Sequence, residues 1–256
     1  MNPWENGIWY LTIGLTAALL VKLWAAGLIK IYKLFFCYLA SDLLSSLGAL
    51  TIPLRTERYA DFYFSAQTVK IVLAALLLVE IYSLALESHT ALARFGRSAV
   101  GYMLGAAAVI PVLWLLLDHS EGVHTFRHTF FLFEQTMDGT MAIFLILISI
   151  FMAWFPIQLR RNVIVYIGGF MVWSLSRSAE IHIINQRIDN QQVRTIGSIA
   201  QMCVGLGCLL FWLGSFRREG ENQTAVVGHL WNRAEAERLT EQLDAINNSL
   251  ERLRRR

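Results

Sequence analysis

The chain has 256 residues, 55% of them hydrophobic and 16% charged, with a mean hydropathy of +0.47. A soluble domain carries about a quarter of its residues as charges. Here the deficit runs the whole length, which excludes a soluble domain on a single anchor and points to a multi-pass membrane protein. The net charge of +3 is mild, and its arginines sit in short gaps and in the tail, a pattern of membrane orientation rather than a nucleic-acid surface.

MNPWENG precedes the first apolar run without a basic region, so no cleaved signal peptide is expected. A membrane-spanning helix needs about 20 mostly apolar residues. On that rule the chain holds seven, at roughly Ile8–Leu28, Leu34–Leu54, Phe62–Leu86, Ser98–Leu117, Thr129–Phe155, Val163–Ile184 and Thr195–Phe216. Pro53 and Pro156 fall at segment ends, and Pro111 inside the fourth predicts a kink. Lys22, Lys30, Lys33, Arg94, Arg97, Arg160, Arg161, Arg217 and Arg218 fall in the gaps on one side. Arg55, Arg58, Arg127, Arg187 and Arg194 fall on the other. The richer side faces the cytoplasm by the positive-inside rule, which places the N-terminus outside.

The expected fold is thus an all-α integral membrane protein: a seven-helix bundle over 1–216, a polar linker over 217–228 and a cytoplasmic helix over 229–256. In that last helix Ala236, Leu239, Leu243, Ile246, Leu250 and Leu253 recur at spacings of three and four, a short heptad seam. The seam suits self-association or a partner helix. The alternative is an amphipathic helix lying on the inner leaflet through Arg252, Arg254, Arg255 and Arg256. Gly101 with Gly105, and Gly205 with Gly207, are expected as close-packing positions between helices. Cys37, Cys203 and Cys208 lie in apolar runs with no CxxC spacing, so neither disulfides nor haem attachment are implied.

Charges inside spanning helices are costly and turn inward to find partners. Here they are Asp42, Lys70, Glu80, Glu134, Asp138, Arg177 and Glu180. At a rise of about 1.5 Å per residue, Lys70 lies roughly 12 Å from the outer end of its helix, Glu134 and Asp138 roughly 8 and 14 Å, and Arg177 and Glu180 roughly 10 and 6 Å. Five charges from three helices are therefore expected in one outer-half layer, with Asp42 and Glu80 deeper. Glu134 and Asp138 are four apart on one face; Gln67 stands three before Lys70, and Ser174 three before Arg177. Lys70 and Arg177 face three carboxylates, so one carboxyl holds a proton, or a cation or cationic ligand completes the layer. Tyr63, Phe64, Trp114, Phe130 and Phe133 are candidate aromatic walls. The plainer alternative is a set of ion pairs that only fixes helix register.

A second constellation is HSEGVHTFRH, with His119, His124 and His128, which His182 could approach. His124 and His128 are four apart, an H-x3-H spacing that puts two imidazoles on one helix face and suits zinc or copper, but HExxH is absent. No cofactor is expected elsewhere. In layout alone the seven runs and the polar outer layer resemble the receptor and rhodopsin architecture. IGSIAQMCVGLGCLLFWLG, the seventh run, has no lysine for a retinal Schiff base and no histidine motif of the seven-helix zinc hydrolases. VEIYSLALESH stands where a receptor carries its arginine motif. No family is assigned.

The expected function is a ligand- or ion-responsive, receptor-like protein of a plasma or bacterial inner membrane. It touches the bilayer and pairs with a second copy or a partner protein through its last helix. The alternatives are a proton- or cation-coupled transporter, a structural subunit of a membrane complex, and a metal-dependent membrane hydrolase.

Overall fold

The computed structural model describes residues 3–52, 56–87, 96, 98–107, 109, 123–154, 157–186, 191–227 and 233–254, and most of these are helical. The helices are α1 (Pro3–Ala25), α2 (Lys33–Thr51), α3 (Glu57–Ala85), α4 (Ser98–Ala107), α5 (Val123–Trp154), α6 (Arg161–Gln186), α7 (Gln191–Ser215) and α8 (Arg233–Arg254). Two short strands, β1 (Ile157–Arg160) and β2 (Thr224–Val227), pair antiparallel with Ile157 opposite Val227. The all-α expectation holds. Pro53, Pro111 and Pro156 lie outside the described residues.

Local chemistry explains the boundaries. Gly27 ends α1 in the left-handed region at φ +71°, which glycine reaches without a Cβ clash, and Leu28–Lys30 follows as a 3-10 turn. Thr56 caps α3 by accepting from the Tyr59 amide at 3.3 Å. The start of α2 has no side-chain cap of its own. Its cap comes from α3: Glu80 accepts from the Leu34 and Phe35 amides at 3.0 and 3.4 Å. A carboxylate there satisfies orphan donors and meets the positive end of the helix dipole.

Six helices form a ring in which α1 packs on α2, α2 on α3, α3 on α5, α5 on α6, α6 on α7, and α7 back on α1. One tight crossing is at Gly169, where a Cβ would stand 2.3 Å from Trp212 Nε1. Gly48 lies similarly against the Phe62 ring at 2.5 Å. The glycines expected to pack closely do not: a Cβ on Gly101, Gly105, Gly205 or Gly207 would meet nothing within 4 Å. Periodicity locates a small residue; which face a neighbour occupies decides whether the smallness is used.

Among the described residues, five helices are long and apolar enough to cross a membrane, namely Asn6–Ala25, Lys33–Thr51, Glu57–Ala85, Leu132–Trp154 and Gln191–Ser215. Within their most apolar windows only 17–44% of residues are buried, so side chains such as Leu11, Val21, Leu44, Val72, Leu147 and Leu210 face outward. A belt of that kind suits hydrocarbon and would be a liability in water. Helix α6 has the length, but SLSRSAEIH in its second half keeps it out of this group, and the described part of α4 is ten residues long.

The segment expected as a polar linker carries structure. Residues Arg218–Glu221 form a 3-10 turn, and β2 follows and docks on β1. The link to α8 is therefore pinned at the end of the bundle where α5 stops and α6 starts, here called the ladder end. Asn162, fully buried, donates to the Arg217 carbonyl at 2.8 Å and to Glu221 at 2.6 Å, and accepts from the Arg217 amide at 3.3 Å. Gly220 makes room for it, since a Cβ there would stand 2.3 Å from Asn162 Oδ1. Tyr32 donates to Glu221 at 2.8 Å, and Arg160 reaches both Glu221 and Glu87. Burial, and then the Glu221 charge, push the Tyr32 hydroxyl well above its ordinary pKa, so it stays a donor. Lys22 donates to the Leu213 carbonyl, placing a cation on the C-terminal turn of α7.

Candidate functional site

Helices α3, α5 and α6 carry their polar residues on faces that meet inside the ring. A charge at the centre of a spanning helix costs about 2.5–3.5 kcal/mol on insertion scales, and Asp42, Lys70, Glu134 and Asp138 all lie in helices long and apolar enough to span. Pairing is the way out, and the structure pairs them.

Arg177 is the hub. Its guanidinium binds Glu134 directly, donates to Glu180 at 2.8 Å, and holds Nε at 3.8 Å from Asp138. The spacings make this possible: four residues put Glu134 and Asp138 on one face of α5, and three put Arg177 beside Glu180 on α6. Gln67 donates to Glu134 at 2.7 Å, and Arg177 also reaches the Tyr63 hydroxyl. Glu134, Asp138, Glu180 and Ser174 are all buried.

The single five-charge layer expected from depth does not form as drawn. Lys70 turns away from the Arg177 hub and pairs with Asp42 at 3.4 Å. Helix α3 stands between α2 and α5, so its polar stripe serves both neighbours: Gln67 looks to α5 and Lys70 to α2. Asp42 thus joins the mid-bundle charges instead of lying deeper. Glu80 does not; it is occupied at the start of α2, with the Tyr166 hydroxyl donating to it at 3.2 Å.

Between these groups lies a cavity of about 410 Å³ bordered by Asp42, Lys70, Gln67, Asp138, Arg177 and Gln201. Its walls include five aromatics, Trp9, Tyr38, Tyr63, Trp173 and Trp212. Tyr38 meets Trp173 edge to face at 5.7 Å, and Trp173 stacks on Phe170 at 5.5 Å, which fixes that wall. Gly205 lines the same space, so its smallness leaves room instead of admitting another helix. A second cavity of about 420 Å³ adjoins on Trp9, Tyr63, Gln67, Lys70 and Met202 and continues toward Ser45, Tyr59 and Ser198. Two residues that line the first cavity, Gln201 and Trp212, each carry a buried polar atom without a hydrogen-bond partner, Oε1 and Nε1; the second lies against Gly169.

Of the aromatics expected as walls, Tyr63 lines both cavities. Phe64 and Phe130 pair with each other at 4.8 Å, Phe133 joins the apolar core, and Trp114 lies outside the described residues. Trp9, Tyr38 and Trp173 escaped the sequence reading, because an aromatic in an apolar run carries no mark of the face it takes.

His119 and the side chains of His124 and His128 lie outside the described residues; His182 is exposed. Among the described residues no group of three His, Cys, Asp or Glu side chains is placed to hold a metal. In the tail, Leu243 is buried and Ile246 half exposed, while the side chains of Leu250 and Leu253 lie outside the described residues. No protein-family model, curated protein or solved structure matches the chain.

Proposed function

We propose that this chain is a seven-span, receptor-like membrane protein with its N-terminus outside, in which the mid-bundle cavity takes a small ligand or ion. In this reading α4 and α6 span with the other five, and the interior charges of α6 are tolerated because Arg177 gathers its partners within the bundle. Occupancy of the cavity shifts α5 and α6 against each other. Helix α6 begins where β1 ends, and β1 holds β2, so the movement passes to α8. That helix carries it to a second copy or to a cytoplasmic partner.

The observation that supports the reading best is the cavity itself, a space lined by charged and aromatic groups beside a buried acceptor without a donor. A transporter is the second reading, supported by the adjoining cavity that shares Lys70 and Gln67. It has less support toward the ladder end, where the α2 amides and Tyr166 engage Glu80.

Native mass spectrometry of the detergent-purified full chain tests the receptor reading beside Gly205→Trp, which fills the cavity. The expected result is a retained small mass on the full chain that the variant lacks. Identical bare spectra from both would count against a ligand cavity. A third form ending after Gly228, which keeps β2, tests the tail: a dimer that becomes a monomer makes α8 the assembly helix.

A further inference from the structure

The cavity's chemistry narrows its occupant. Around Arg177 and Lys70 the carboxylates outnumber the cations by two, since Asp42, Glu134, Asp138 and Glu180 answer only those two charges. They are not equally served. Lys70 attends Asp42, and the guanidinium makes its close bonds to Glu134 and Glu180. Asp138 is left with Nε at 3.8 Å, beyond hydrogen-bond reach, although it is only 5% exposed and borders the cavity. A buried carboxylate in that state is costly, and a donor bearing positive charge relieves it.

Two further features ask for the same chemistry. Gln201 lines the cavity and carries a buried acceptor, Oε1, without a partner, and an acceptor needs an N–H or O–H. Trp9, Tyr38, Tyr63 and Trp173 offer ring faces, which attract cations. An anion finds both cations already paired and an excess of negative charge around it. A bare metal ion finds no set of three ligands among the described residues, and about 410 Å³ is far more room than it needs.

We propose that the mid-bundle cavity binds a small organic ammonium, its charged nitrogen at Asp138, a donor toward Gln201, and its hydrocarbon part against the Tyr38 and Trp173 wall. This rests on the cavity being a ligand site, and it names the ligand's class.

The test uses the full chain in lipid nanodiscs, titrated with primary ammonium ions from methylammonium to 2-phenylethylammonium, and with 2-phenylethanol, phenylacetate and sodium chloride as comparisons. Tryptophan emission and heat are read together, since Trp9, Trp173 and Trp212 line the space. The larger ammonium ions are expected to saturate and to bind about tenfold or more tighter than the alcohol or the acid. Asp138→Asn should remove about that factor, and Gln201→Met about 2–10-fold, the loss of one hydrogen bond. Preference for phenylacetate, equal binding of the alcohol, heat from sodium alone, or an unchanged ammonium affinity in Asp138→Asn would each overturn the ammonium assignment while leaving a ligand cavity in place. No binding by any probe also overturns it. The broader reading then stands or falls separately, on the mass retained by the full chain and lost in Gly205→Trp.

Discussion

At the ladder end, Glu221 accepts from Tyr32 and Asn162 and pairs with Arg160, and Glu80 accepts from two α2 amides and the Tyr166 hydroxyl. At mid-bundle, Asp138 has a single arginine nitrogen 3.8 Å away and open space beside it. Both regions hold acids withdrawn from the surface, part-buried Glu80 and Glu221 in the first and buried Asp138 in the second. The first is a closed network in which each carboxylate oxygen has a donor, so its worth is structural: it fixes where α2 begins and where the tail leaves the bundle. The second is an open one, with more acceptors than donors, and an arrangement that the protein's own groups leave incomplete is one a ligand can complete.

Substitutions can break or sharpen this contrast. The largest effect is expected at Arg177. Arg177→Met strips Glu134, Asp138 and Glu180 of their shared countercharge, and a buried charge left unpaired costs about 3–5 kcal/mol. Thermal melting in detergent should show a steep fall, partly reversed by adding Glu134→Gln. An unchanged melting temperature would mean that the acids are not held as buried anions at all.

Next comes Asn162→Ala at the ladder end. It orphans the Arg217 amide and removes a donor from Glu221, for an expected loss of about 2–3 kcal/mol. Amide hydrogen exchange should quicken in β2, because the turn feeding that strand loses its anchor. Unaltered exchange there would sever the proposed link from bundle to tail.

A smaller loss is expected at Gly169, where a methyl group would meet the Trp212 ring, itself packed 4.9 Å from Phe35. Gly169→Ala should cost about 1–3 kcal/mol. Gly101→Ala and Gly207→Ala meet nothing within 4 Å and should be neutral or raise stability by up to about 1 kcal/mol. Equal losses at all three would show that the α6–α7 crossing is not the tight one. The smallest effect belongs to Gln201→Met, which removes an unpaired acceptor and should leave the melting temperature where it was.

Much of the bundle is readable in the residues, and the reasons differ from place to place. Apolar run length marks the five long helices, and i, i+3 and i, i+4 spacing brings Arg177 to Glu180 and Glu134 to one face with Asp138, because helical geometry demands that. Lys70 shows the limit. Depth along an axis places a charge in a layer but not on a side, and which neighbour α3 turns toward is a property of the whole ring. Glu80 shows another. Its partners are backbone amides, which every residue has, so no side-chain pattern announces them. The Asn162 network and the β1–β2 ladder fall in segments that read as polar gaps; only Gly220 and Asn162, each a specific fit to the other, hint that the gaps are packed.

The most direct test melts two matched variants in nanodiscs, Asp138→Asn and Glu221→Gln, each with and without 2-phenylethylammonium. An acid short of donors should be replaceable without loss, and an acid full of them should not. The account predicts that Asp138→Asn melts no lower than the natural chain and no longer responds to the ammonium, while Glu221→Gln melts lower and keeps the full response. Equal destabilisation of the two, with the ammonium shifting both alike, would mean that the mid-bundle charges are only another set of struts.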